Sequence, residues 1–227
     1  MTKWGRGVLL VITDTAPEFE AEFNEWYDRE HLKDRVATAG FLSARRYVAS
    51  EGVRKYLAVY ETESIAVFES PAYKQKLAQQ TDWSKRILKQ FRNPHRAVAR
   101  IGASQGYSVG GVASISVLAG GLAGGTDELR TKVANTLIPR LMVRPGILAT
   151  HLLESDPGLS QPVPEYPRDS EPAAAPDDWF LLFEASDEAS LARANLGQTA
   201  AALNVQLRIL GVYRFVTEVS RADLKYP

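Results

Sequence analysis

The sequence predicts an α+β chain made of two tandem ferredoxin-like β-α-β-β-α-β units whose antiparallel sheets pack together into one intrachain α/β barrel or a sandwich. Three observations carry this. Apolar runs of strand length alternate with helix-period stretches in the same order twice along the 227 residues. Segments of the two halves align, Gly40-Phe41-Leu42 with Gly146-Ile147-Leu148 and YLAVYE (56–61) with WFLLFE (179–184), the mark of an internal repeat. The strands are apolar on both faces, so a four-stranded sheet with helices on one side leaves an apolar face for the other half to cover.

The elements follow in order. Residues 8–13, VLLVIT, read as a strand buried on both faces. Pro17 opens a helix over 17–36 that Gly40 stops. FLSARRYVAS and KYLAVYET are strands close enough to pair as a hairpin about Glu51-Gly52. A helix interrupted near Pro71, a short helical piece DWSKRILKQF and a strand RAVARIGAS complete the half, in the split order of ferredoxin-like folds. The second half repeats it with strand VASISVLA and helix TDELRTKVANTLIPRLM, which Thr126 or Asp127 caps and Pro139 kinks or ends. Strands GILATHLLES and WFLLFEAS, helix DEASLARANLGQTAAAL and strand LRILGVYRFVTEVS follow. The first unit spans 1–105 and the second 106–227. The excursion 157–178 holds six of the twelve prolines and reads as a solvated loop, with a lid over a pocket as the alternative. The glycine cluster at 121–125 lacks a phosphate-loop pattern and reads as a flexible connection.

Lys plus Arg and Asp plus Glu both number 27, a balance that favours neither nucleic acid nor an anionic membrane. The chain has no cysteine, which excludes disulfides, thiolate catalysis and Cys-ligated metal. Its first apolar run is far shorter than the ~20 residues that cross a bilayer. A soluble cytoplasmic protein with a small-molecule ligand is expected, and the open sheets leave room for a homodimer.

The densest chemistry lies between Asn24 and Tyr47. At 100° per residue Phe19, Phe23, Trp26 and Tyr27 fall on one apolar stripe that continues through Glu30. A carboxylate on such a face must be protonated, paired or open to a cavity. His31 flanks the stripe one turn from Tyr27, so Tyr27, Glu30 and His31 form a candidate acid-base group. The plainer alternative pairs Glu30 with Arg45 or Arg46. Strand parity puts Phe41, Ser43, Arg45 and Tyr47 on one face and Leu42, Ala44, Arg46 and Val48 on the other. His151 takes the register of Arg45 in the second half, so the two are expected to face one cavity. Glu61 and Glu184 align at a strand end as a repeated structural pairing, and His95, in the turn RNPHR, reads as a surface residue.

The run F-x-x-W-Y-D-x-E-H (23–31), followed by G-F-L-S-A-R-R-Y (40–47) and Y-L-A-V-Y-E (56–61), resembles the dimeric α/β-barrel superfamily, in particular bacterial EthD-like proteins. The match is good over 8–103 and rests on topology over 112–219. The resemblance implies a ligand cavity reached by the first helix and lined by strand residues. Its tyrosine, acid and histidine fall on Tyr27, Glu30 and His31, its glycine on Gly40. Lys33 and Ala39 stand where similar sequences carry proline, whereas Pro145-Gly146 keeps one such pair.

The resulting expectation is a cofactor-independent enzyme of the isomerase, cyclase or monooxygenase kind, acting on a small aromatic or carbonyl ligand without metal. His31, Tyr27 and Glu30 would be catalytic, and Arg45, Tyr47, His151 and Trp26 would bind ligand. Alternatives are haem handling by His31, His95 or His151, and a non-catalytic binding or stress-related barrel. A divalent metal on Glu30, His31 and Asp34 is disfavoured, because neighbours on a helix point apart.

Overall fold

The computed structural model describes residues 5–118, 126–167, 173–175 and 177–225. Among the described residues there are eight strands: β1 Gly7–Thr15, β2 Phe41–Gly52, β3 Tyr56–Thr62, β4 Phe91–Gly106, β5 Val112–Leu118, β6 Ile147–Ser155, β7 Trp179–Ala185 and β8 Leu207–Ser220. They close into an antiparallel barrel in the order β1-β3-β2-β8-β5-β7-β6-β4. Within it the first half contributes β4-β1-β3-β2 and the second β8-β5-β7-β6, the same local order. The halves join edge to edge, β2 on β8 and β4 on β6, so every strand has two hydrogen-bonded neighbours and no sheet edge is left open.

The helices lie outside the barrel. The first half carries α1 Glu20–Trp26, a π-turn at Tyr27–His31, α2 Leu32–Val36, α3 Pro71–Ala78 and α4 Asp82–Leu88. The second carries α5 Thr126–Lys132, a π-turn at Val133–Leu137, α6 Ile138–Met142, α7 Glu188–Ala194 and α8 Leu196–Ala201. Three apolar layers result. Val8, Leu10, Ile12, Phe180 and Leu182 fill the barrel; Leu9, Val11, Phe23 and Trp26 bind the first helix layer to its outer wall; Val133, Leu137, Leu181 and Phe183 do so for the second.

The π-turns correct the expected helical phase. A continuous α-helix over 17–36 would bury Glu30, but the Leu32 amide bonds the Tyr27 carbonyl five residues back. This inserts one residue into the turn. Burial therefore steps from Trp26 and Tyr27 to His31 and Leu32, then to Arg35 and Val36, and Glu30 turns outward. The second half has the same device, with the Ile138 amide on the Val133 carbonyl. Pro139 neither ends nor interrupts that helix, because it stands in the first turn of α6, where a missing amide hydrogen costs little.

Two strand irregularities overturn further expectations. A register shift between Phe41 and Ser43 breaks the predicted parity. Ser43, Arg45 and Tyr47 face the barrel interior, and Phe41 packs outside against Phe68 and Tyr73. The turn expected at RNPHR is part of β4, where a register shift opposite Ile12–Asp14 and a left-handed Asn93 (φ 46°) accommodate Pro94. His95 then lies opposite Ile12, inside the barrel against Phe180 and 4% exposed, so it is not a surface residue.

Residues 157–167 of the proline-rich excursion correct the solvated-loop reading. They cross to the first half, where Arg96 donates to the carbonyls of Leu159 and Gln161, Leu159 and Val163 join the outer core, and Tyr166 stacks on Phe91 at 5.3 Å. Ala173 and Ala174 pack against the barrel core on the way back to β7. Residues 168–172 and 176 of the excursion, and the glycine cluster at 121–125, lie outside the described residues.

Candidate functional site

The structure divides the expected site residues between two places. Arg45, Tyr47 and His151 point into the barrel, where all three are buried. Arg45 is 1% exposed and donates to Glu61 Oε1 at 2.8 Å and Glu184 Oε1 at 2.9 Å, one carboxylate from each half. Burial opposes its charge, and the surrounding Tyr47, Glu184 and Glu61 outweigh that and raise its pKa. The guanidinium is therefore a clamp between halves, not an open ligand anchor. His151 Nδ1 shares a hydrogen bond of 2.9 Å with Ser104 Oγ.

Tyr27 and His31 belong to the outer wall of the first half. The π-turn brings both under the sheet, His31 stacked on Trp26 at 4.0 Å and edge-on to Tyr27 at 5.2 Å. Trp26 thus supports His31 and is itself tied to Ser84 through its indole N–H at 3.0 Å. Glu30 leaves the group: Oε1 accepts from Thr81 and Ser84 at 2.6 and 2.9 Å and fastens the first helix to the cap of α4. Arg46 reaches the helix layer as parity requires, but its partners are Asp28 and Asn24, and its guanidinium lies 4.5 Å over the Tyr27 ring. Asp34 turns to Lys76 at 2.6 Å, so Glu30, His31 and Asp34 do not converge on a metal.

Between this wall and β1, β3 and β4 lies a cavity of about 40 Å³. Its polar lining is Tyr27, His31, Arg35, Tyr60, Tyr73, Gln80, Arg96 and Tyr166, and among the described residues no Asp or Glu lines it. Three buried atoms of that lining have no hydrogen-bond partner, His31 Nδ1, Arg35 Nη1 and Gln80 Oε1, and the Tyr60 hydroxyl has only the Tyr27 hydroxyl beside it. Arg35 is 4% exposed, and its nearest carboxylate oxygen, on Asp34, is 3.9 Å away. A guanidinium desolvated without a bonded anion costs several kcal/mol. Such a group is retained where something supplies the missing acceptor.

The electrostatics agree. Burial, then Arg35 and Arg46, hold the His31 pKa well below the ordinary 6.5. Burial raises those of Tyr27, Tyr60 and Tyr166. At neutral pH imidazole and phenols are uncharged, and Arg35 and Arg96 make the lining purely cationic. Arg96 uses its buried guanidinium on backbone carbonyls of the excursion and on Tyr73 Oη at 3.2 Å. Chemically, the cavity offers cations and phenol donors to an oxyanion and a neutral imidazole to a proton. The space beside His31 is far too small for a porphyrin, and His95 and His151 face the packed interior, so the haem reading does not fit the residues present.

Arg35, Tyr60, Gln80, Arg96 and Tyr166 were not singled out from the sequence. Arg35 had one usable signal, its place four residues after His31. Tyr60 had another, its alternation with the inward Glu61 along β3.

Comparison with known proteins adds the fold. A protein described as anthrone oxidase-like superposes with a TM-score of 0.65 at 13% identity, over 95% of this chain and 93% of its own. These likenesses show the fold alone. A candidate monooxygenase from Fusobacterium nucleatum gives 0.61 at 10% identity over 96% and 95% of the two chains. A mutant chlorite dismutase from Candidatus Nitrospira defluvii in complex with cyanide gives 0.57 at 10% identity over 94% and 92%. No protein-family model and no curated protein sequence matches the chain. None of its described helices is long and apolar enough to cross a membrane.

Proposed function

We propose that the chain is a small-molecule enzyme whose first-half cavity binds an aromatic or carbonyl compound as its oxyanion and moves a proton on it. The observation that carries this is the buried, unpartnered pair of Arg35 Nη1 and His31 Nδ1 on a cavity lined by cations and no acid. Arg35 and the Tyr60 hydroxyl stabilise the developing enolate or phenolate oxygen. His31, neutral in the free protein chiefly through burial, accepts the proton; binding of an anion beside Arg35 relieves the repulsion that adds to that burial. Proton removal next to a carbonyl is the step shared by isomerases, cyclases and oxidations of anthrone-like carbon acids. The EthD-like sequence motif and the anthrone oxidase-like and monooxygenase neighbours support this class.

A cavity of about 40 Å³ is smaller than the roughly 150 Å³ that takes a benzene ring. Ligand entry therefore displaces Val163 and Tyr166, and the excursion acts as a cover contributed by the other half. The test is a thermal-shift screen with aromatic acids, phenols, lactones and anthrones on the native chain, Arg35→Met and His31→Ala. Anionic ligands should raise the native melting temperature and leave Arg35→Met unmoved, while His31→Ala binds but does not turn over. A shift unaffected by either change would refute the assignment. A second reading is a non-catalytic binding barrel, which the small volume of the cavity favours; binding without turnover of any compound that shifts the native protein would select it.

A further inference from the structure

The pairing registers superimpose the two halves and expose a second site. Val8 faces Glu61 and Ala113 faces Glu184 across their ladders, so Leu9 corresponds to Ser114 and Tyr60 to Phe183. Val11 pairs with Arg96 and Ser116 with Ile209, so Ile209 stands where Arg96 does. Equivalent positions in the π-turns and following helices set Leu137 for His31 and Leu141 for Arg35. The outer wall that is cationic and closed in the first half is thus apolar in the second.

It is also open. A groove of about 610 Å³ runs between α7, α8 and the outer face of β5, β7 and β8, floored by Phe183, Leu191, Leu196, Ile209 and Val212. In the first half the long connection between β6 and β7 lies over the equivalent place. Its counterpart, between Gly52 and Tyr56, is a short turn, and that hairpin adds only Ser50 and Glu51 to the rim. Among the described residues nothing else covers the groove, and Ile209 is left 48% exposed. Ser114, which lines it, is 4% exposed and its hydroxyl has no partner. The charged residues of the described lining are Glu51 and Glu188, the latter paired with Arg214 at 3.5 Å, with no Lys or Arg in the lining itself.

We propose that this groove is a second ligand site, independent of the first, which takes an uncharged, largely apolar small molecule carrying one hydroxyl or carbonyl for Ser114. The volume falls in the range of small-molecule pockets. Among the described residues the lining offers an anion no cation to pair with, whereas the first site presents Arg35 and Arg96, so the two halves of the chain sort ligands by charge.

The experiment is a titration of the full chain with 1-naphthol, and separately with 1-naphthoate, followed by backbone amide chemical shifts. Naphthol should move the Val212 and Leu196 amides, and naphthoate should leave them in place. Ser114→Leu and Ile209→Arg, which install the first half's residues, should each weaken the response at least about tenfold. Ile209 is half exposed, so its variant keeps the fold, which melting by circular dichroism checks. Arg35→Met should change nothing at this groove, which separates failure here from failure of the proposed first site. Naphthol shifts insensitive to both groove variants, shifts lost with Arg35→Met, no shift at about 1 mM naphthol, or a groove already closed by self-association of the chain would each overturn the proposal.

Discussion

Arg35 is held in an environment that disfavours it, and this makes its removal informative. Replacing it with methionine deletes a desolvated charge while keeping the packing stem. The melting temperature of Arg35→Met should equal or exceed that of the native chain, while binding of anionic ligands is lost; a large fall in stability would mean that the guanidinium has a structural partner. His95 sets a pH dependence. Burial first, then Arg54, lowers its pKa to about 4, against 6.5 when unfolded. Below pH 6.5 the unfolded chain takes up a proton that the folded chain refuses, so stability is lost as pH falls through 6.5 and levels off near 4. Between pH 6.5 and 5 this amounts to about 2 kcal/mol from His95 alone. Urea unfolding at pH 7 and 5 should show the loss, and His95→Leu should reduce it. His31, lowered in the same direction, adds to the slope.

At the scale of elements, each half turns from helix to strand through a glycine in the left-handed region, Gly40 at φ 86° and Gly146 at φ 83°. A Cβ at Gly40 would also stand 2.6 Å from Val67 Cγ2. Gly40→Ala should cost about 1–2 kcal/mol from conformation alone, read by denaturant unfolding, and a neutral outcome would show that the turn relaxes. Both glycines and the order of strands and helices along the chain were legible in the sequence, because apolar periodicity and chain-reversal residues are local signals; the edge-to-edge joining of the halves was not, since it depends on pairing between distant strands. The π-turn was not. It is one extra residue in an otherwise regular helix, and it decides that His31 and Arg35, and not Glu30, reach the cavity. The register shifts at Phe41–Ser43 and near Asn93 had the same effect on Phe41 and His95. In each case composition identified the important stretch, and a one-residue phase error misassigned the faces. The role of residues 157–167 was hidden for a different reason: their anchors, Arg96 and Phe91, lie in the other half of the chain.

The whole barrel is locked at its centre by Arg45 between Glu61 and Glu184. Arg45→Met leaves two buried carboxylates facing each other without their shared cation, and should cost about 3–5 kcal/mol. Adding Glu184→Gln should restore part of it, because the charges act as one network. Since both seams are hydrogen-bonded ladders that run past their register shifts, unfolding should be a single transition for both halves. The alignment of Glu61 with Glu184 in the sequence pointed to this structural role, whereas the expected use of Arg45 as a ligand anchor did not foresee that both acids converge on it. The central claim is that the cation-lined cavity of the first half is a binding site for anionic small molecules. Calorimetric titration with salicylate of the native chain and of Arg35→Met tests it most directly. The account predicts saturable binding to the native chain that Arg35→Met abolishes while remaining folded. Equal binding to both proteins, or none to either across the aromatic acids of the screen, would contradict it.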